Sequence, residues 1–258
     1  MSINLSSVYL NYGETEILNN IDFRIEPGKI VSIVGPNGAG KSSVLNVISG
    51  NVKASSGEIF YNDIPLREIT IMERATIRSV VGQYNQIVYD YSVKDILEMG
   101  WINNEISNSR NKKFEENLKL ISEECHLSSL LDRKINKLSG GEQRRVHFAR
   151  GMMQLQNSIN LQQPKYFLLD EPISNMDIYF EIKVMETIRK IANTGVGVLL
   201  IIHDLNLAAK FSDKVILMSK SKVENSGIPS QVLNEKILSD IYGLKMKVTK
   251  NPLRIHYY

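Results

Sequence analysis

The 258-residue chain is long enough to bury a substantial interior, and its 43% hydrophobic and 23% charged composition is that of a soluble globular protein. A formal charge of +3, from 31 basic and 28 acidic residues interspersed along the chain, gives no electrostatic footprint for nucleic acid. A single cysteine, Cys125, excludes an intrachain disulfide and reads as a small buried hydrophobe.

The opening segment alternates apolar and polar residues. Ile3, Leu5, Val8 and Leu10 are followed by a turn at Tyr12-Gly13, then by Ile17-Leu18 and by Ile21, Phe23 and Ile25 before Pro27-Gly28. That period of two predicts a small antiparallel sheet. Nothing in the opening Met-Ser-Ile-Asn-Leu-Ser-Ser has the basic start and apolar core of a signal peptide. Lys29 to Val34 is a short apolar run of the kind that forms a buried parallel strand. It enters the glycine-rich stretch Gly35-Pro36-Asn37-Gly38-Ala39-Gly40-Lys41-Ser42-Ser43, and a helix is expected from Lys41 to about Ser49.

That stretch fits G-x-x-x-x-G-K-[ST] at each required place. Glycines let the backbone wrap an anion so that successive N–H groups face phosphate oxygens. Lys41 then reaches the outer phosphates, and the Ser42 hydroxyl takes a Mg²⁺ position. Residues from about Gly57 to Gln83 read as further strands with a short helix, and Ser92 to about Gln156 reads as helical. Tyr166 to Asp170 and Val196 to Ile202 are again buried strands, separated by a helix near Tyr179 to Ala192. Seven apolar residues at Val196 to Ile202 fall well short of the ~20 that span a bilayer. An α/β core carrying a helical insertion follows from this order.

Tyr166-Phe-Leu-Leu-Asp170-Glu171 supplies the partner of the phosphate loop. A strand ending in Asp170 sets a carboxylate where it can hold Mg²⁺, and Glu171 is placed to orient and deprotonate a water. A second glycine-rich turn, Leu138-Ser139-Gly140-Gly141-Glu142-Gln143, precedes a helix expected from Glu142 onward. Lone histidines are usually structural, and His126, His147 and His256 are read so. The pairs Lys112-Lys113 and Arg144-Arg145 read as solvated helix faces, and the scattered methionines as core fillers.

The L-S-G-G-E-Q turn resembles the signature of the ATP-binding cassette (ABC) ATPases, and the resemblance extends over nearly the whole chain. Tyr12 stands where that family has an adenine-stacking aromatic, although a turn aromatic reads the same way. Gln83 resembles the Q-loop glutamine, with Gln86 as its rival. Ser174-Asn175-Met176-Asp177 resembles the D-loop, and His203 the switch histidine. The usual E-P-T-S-A-L-D appears as Glu171-Pro-Ile-Ser-Asn-Met-Asp177, which keeps Glu171, Ser174 and Asp177.

The resemblance implies a RecA-like P-loop core with an N-terminal antiparallel β lobe (1–90 and 157–258) and an inserted helical signature subdomain (about 91–156). It implies ATP as ligand, Mg²⁺ held by Ser42, Gln83 and Asp170, and hydrolysis by Glu171, His203 and Gln83. It also implies a homodimer in which Ser139, Gly140, Gly141 and Glu142 meet the γ-phosphate held by the other copy. Two transmembrane permease subunits, and indirectly a periplasmic or lipoprotein substrate-binding protein, are the implied partners, with the chain on the cytoplasmic face of the bacterial inner membrane. A permease helix is expected to dock near Gln83, with Tyr84 to Tyr91 as lining or as core aromatics.

Within the family, Tyr91 to Gly100 (Y-S-V-K-D-I-L-E-M-G) and the tail Gln231 to Gly243 are similar to importers of iron chelates, haem and cobalamin. The extra stretch at about Gln154 to Pro164 favours haem, with ferric siderophore or cobalamin as alternatives. A soluble ABC ATPase acting on ribosomes or DNA is the reading from another class; its usual paired cassettes or long coiled-coil insertions are not visible here.

Overall fold

The computed structural model describes residues 1–82, 90–101, 108–156 and 163–257, with only the backbone for 108–111. Strands β1 (Ile3–Tyr12) and β2 (Thr15–Ile25) form a hairpin, and β3 (Ile30–Val34) leads into helix α1 (Lys41–Ser49). Next come β4 (Ser56–Tyr61), β5 (Ile64–Pro65), α2 (Ile71–Ile77) and β6 (Arg78–Val81). The helical stretch holds α3 (Val93–Met99), α4 (Asn108–Glu124) and α5 (Gly140–Gln156), with short 3₁₀ turns between the last two. The chain then runs through β7 (Tyr166–Asp170), α6 (Ile178–Asn193), β8 (Gly197–Ile201), α7 (Leu205–Phe211), β9 (Lys214–Ser219) and β10 (Lys222–Gly227). Helices α8 (Pro229–Val232) and α9 (Glu235–Tyr242) and the hairpin of β11 (Met246–Lys250) and β12 (Leu253–Tyr257) follow.

These strands make a four-stranded antiparallel sheet ordered β2-β1-β4-β5 and a six-stranded sheet ordered β10-β9-β3-β8-β7-β6. From β6 to β9 the larger sheet is parallel, with β10 as an antiparallel edge. Its central strands are buried on both faces, and their alternate side chains feed separate cores. Ile30, Val34, Phe167, Leu169, Val198 and Leu200 pack with the helical lobe, α6 and α7. Val31, Ile33, Tyr166, Leu168, Leu199 and Ile201 pack with α1 and the antiparallel sheet. A strand shifted by one residue would exchange the two sets, so register is strongly specified.

Helix α1 has Gly40 and Gly50, both left-handed, at its ends and no basic residue in its last turn. Its terminal carbonyls are met from outside: Arg78 donates to Ser49 O, and Arg74 to Gly50 O at 3.4 Å. In the helical lobe, Ser92 and Asp95 form a reciprocal cap on α3, and Trp101 meets Phe114 edge-on at 5.9 Å. Cys125 is buried there, its thiol pushed up to about 12, which leaves it inert at neutral pH.

The structure corrects several expectations. Helix α5 begins at Gly140, two residues before the expected Glu142, because Ser139 caps it. Arg145 is no solvated residue: it is buried, donates to the carbonyls of Cys125 and His126, and lies 3.9 Å from the centre of the Phe180 ring. Arg144 is half-buried and also engaged, as described below. Met72 and Met99 are about half exposed rather than core fillers. Lys112 and Lys113 are exposed as expected.

Sequence patterning assigned no elements beyond Ile202, yet the C-terminal part is docked firmly. Val232, Leu233, Leu238, Met246 and Ile255 join the main core. Asn206, in the first turn of α7, donates to Ile255 O at 3.1 Å and accepts from Ile255 N at 2.8 Å.

Candidate active site

The phosphate loop is shaped by contacts that forbid side chains. Gly35 has φ 148°, and a Cβ there would lie 2.1 Å from the Met218 carbonyl oxygen on β9. Gly40, at φ 95°, would set a Cβ 2.8 Å from Ile17 O. The loop between them leaves Asn37 and Gly38 exposed at the rim, Pro36 half-buried and Ala39 buried beneath. Gly40 provides no side-chain cap and the first turn of α1 carries no acidic residue, so its N–H groups remain available to an anion.

Lys41 is buried at 6% exposure and its Nζ donates to Gly35 O and Pro36 O, both at 2.9 Å. Burial lowers its pKa, while the carboxylates of Glu171 and Asp170 work against that and favour the ammonium. Ser42 and Ser43 are half-buried beside it. Tyr242 on α9 lies beside the loop, its hydroxyl near the Gly35 N–H.

Strand β7 delivers the acidic pair to the same place. Asp170 is 4% exposed; burial raises its pKa, and the neighbouring Ser42 hydroxyl works against that by favouring the carboxylate. Its Oδ1 is buried and without a partner among the described residues. A buried orphan carboxylate oxygen beside a serine hydroxyl is a hard-oxygen donor set that fits Mg²⁺, which takes one or two protein ligands and fills its remaining positions with phosphate and water.

Glu171, the next residue, has φ 50°, a left-handed conformation that a residue with a Cβ rarely adopts. Its N–H is held by Ile201 O at 3.1 Å, and its carbonyl accepts from Ser174 N, Ser174 Oγ and Arg144 Nη1 at 3.3, 3.0 and 3.2 Å. Its Oε1 lies 2.6 Å from His203 Nε2. Asp177 caps α6, accepting from Phe180 N at 3.1 Å.

The signature turn has a different construction. Ser139 N donates to Glu142 Oε2 at 2.7 Å while Glu142 N donates to Ser139 Oγ at 3.3 Å, a reciprocal cap that holds the Glu142 carboxyl below its usual range. Gln143 donates to Ile135 O and Leu138 O and fixes the approach. Ser139 and Gly140 face solvent, and a Cβ on Gly141 would sit 3.2 Å from Asn175 O.

The structure therefore brings together Gly35 to Ser43, Asp170, Glu171 and His203. Among the described residues no hydrogen bond or ion pair joins the signature turn to the phosphate loop. Tyr12 lies at the end of β1, 57% exposed. Gln83, Gln86 and most of Tyr84 to Tyr91 lie outside the described residues, as do 157–162 of the extra stretch; Tyr91 itself is 38% exposed. Sequence reasoning missed Arg144, Asn206 and Tyr242 as neighbours of the site. No local signal marks them, because each reaches a backbone group on a distant element.

A family profile described as ABC transporter matches residues 18–174. The hemin import ATP-binding protein of Pseudoalteromonas translucida is 34% identical, over 95% of this chain and 94% of its own length. The chain belongs to the ABC transporter family. The hemin import ATP-binding protein of Agrobacterium fabrum is 36% identical over 92% of the chain and 90% of its own. Among solved structures, an ATP-binding subunit of an ABC transporter aligns with a TM-score of 0.78 at 19% identity, covering 95% of each chain. A dimeric bacterial ABC transporter cassette aligns with a TM-score of 0.75 at 26% identity, covering 88% of this chain and 98% of its own. The P-loop α/β fold expected from the sequence is the fold of these cassettes.

Proposed function

We propose that this chain is the ATP-hydrolysing subunit of an ABC import complex that energises uptake of haem. The observation that carries the catalytic part is the 2.6 Å contact between Glu171 and His203 beside the Lys41–Asp170 cluster. Backbone N–H groups of Gly38 to Ser43 and the Lys41 ammonium bind the triphosphate, and Tyr12 stacks on the adenine. Ser42 and Asp170, with Gln83, hold Mg²⁺, which supplies neutralisation of phosphate charge when bound. Glu171 orients the attacking water and takes its proton; His203 fixes the Glu171 carboxylate by the hydrogen bond at Oε1.

Two copies close head to tail, the exposed Ser139 and Gly140 of one meeting the γ-phosphate held by the other, with Asp177 alongside. The dimeric cassette among the similar structures supports this arrangement. No helix among the described residues is long and apolar enough to cross a membrane. In the import complex proposed here, permease subunits supply the pathway, with this chain on their cytoplasmic side and a substrate-binding protein across the membrane; the import names of the relatives support that assembly. The curated relatives' hemin import names support the cargo.

Two measurements test this reading. Glu171→Gln is expected to bind ATP with unchanged affinity and to lose at least about a hundredfold in turnover, the worth of a general base; turnover at the wild-type rate removes Glu171 from its role. In the complex reconstituted with permease and binding protein, haem is expected to stimulate ATP hydrolysis. Stimulation by a ferric siderophore or cobalamin instead would reassign the cargo.

A further inference from the structure

Arg144 and Arg145 are adjacent in α5 but go to different places. Arg145 anchors the helix, through the carbonyls that follow α4 and through the Phe180 ring. Arg144 reaches out of the helical lobe and donates from Nη1 to the backbone carbonyl of Glu171 at 3.2 Å. That carbonyl belongs to the residue with the left-handed φ of 50°, a backbone that must be held to persist. Ser174 holds it from within its own loop and Ile201 from the neighbouring strand. Arg144 is the contact made from the signature helix, with a charged donor, the stronger kind of hydrogen bond.

Ser139 to Gly141 open the helix on which Arg144 sits, about one and a half turns earlier. Gly141 also lies close to Asn175, where an added Cβ would sit 3.2 Å from the carbonyl oxygen, so the first turns of α5 adjoin the 171–177 loop at two places. The helix opened by the signature turn is thus in direct contact with the backbone that carries the Glu171 carboxylate.

We propose that Arg144 is a positioning residue for hydrolysis: by holding the Glu171 carbonyl, it links the seating of a nucleotide on the signature turn to the base of the site on the same chain. This rests on the head-to-tail reading above, in which the signature turn serves the partner's nucleotide and Glu171 serves its own. Each copy then carries a connection between the two sites.

The test is ATP hydrolysis by the assembled transporter across ATP concentrations, comparing wild type with Arg144→Met, Arg144→Lys and Glu171→Gln. Arg144→Met keeps the apolar stem and removes the donors. It is expected to lower kcat about tenfold, to leave KM for ATP within about twofold, to leave the unfolding temperature unchanged and to bring the Hill coefficient for ATP toward one. Arg144→Lys, which keeps a cationic donor, is expected to recover part of kcat. A purely structural role would instead lower the unfolding temperature and reduce active protein without changing cooperativity, and that result overturns the proposal. Active wild type, inactive Glu171→Gln and unchanged Arg144→Met would overturn this inference alone. A wild-type chain that hydrolyses no ATP would overturn the functional reading and this inference together.

Discussion

The molecule opens two helices with a glycine-rich turn, and the two turns are built on opposite principles. At α1 the turn is enclosed: Gly35 and Gly40 are pressed against neighbouring backbone, Lys41 is buried, and no side chain caps the helix. At α5 the turn closes on itself: Ser139 and Glu142 satisfy each other's backbone N–H groups and the glycine next to them faces solvent. The first is a cradle complete within one chain. The second is a self-satisfied face, which on the head-to-tail reading proposed above meets the nucleotide of another copy. A helix start is an anion site in either case, but only a walled one grips a ligand alone.

Substitutions can break this contrast. Gly35→Ala should have the largest effect, because its methyl would meet the Met218 carbonyl: a loss of about 3 kcal/mol or more in stability, read by thermal or denaturant unfolding. Lys41→Ala should weaken ATP binding about a hundredfold in equilibrium titration, since it removes a charged donor from a buried site.

The third effect depends on pH and acts on the signature helix. Burial, with Arg150 and Arg144 adding to it, depresses His147 from 6.5 to about 4. The unfolded chain therefore takes up a proton that the folded chain refuses between those values, and stability should fall as pH drops through that window. The loss is about 2 kcal/mol after allowance for partial exposure. His147→Gln should flatten the stability profile there; an unchanged slope would mean His147 is not responsible. Ser139→Ala should have the smallest effect on folding, about 1 kcal/mol for a lost cap, with ATP binding unchanged and hydrolysis reduced. If Ser139→Ala weakened ATP binding by the isolated chain as much as Lys41→Ala does, the contrast between the two turns would collapse.

Which of these features the sequence announced depends on how locally each is encoded. The phosphate loop lies in nine consecutive residues whose types are dictated by their own backbone, so the motif and the geometry are the same information. Asp170 and Glu171 were legible because a buried strand ends at them in a chain that also carries the phosphate loop, and His203 only through its place in the family's motif order. The signature helix started two residues early because the cap, rather than the first helix-favouring side chain, sets the boundary. Arg144 and Arg145 were misread for a different reason. A long side chain can end far from its Cα, and neither composition nor periodicity says whether it ends in water or on a carbonyl. The C-terminal elements went unassigned because they are short and half-exposed; their order comes from α7 and the main core.

The Asn206 amide joins β12 to the chain three residues after His203, by a donor and an acceptor to the backbone of the same residue, Ile255. Tension applied to that terminal ribbon is thus felt where the histidine leaves its strand. A fusion or affinity handle attached there would be mechanically close to the chemistry although distant along the chain, so an amino-terminal handle is the safer choice for kinetic work.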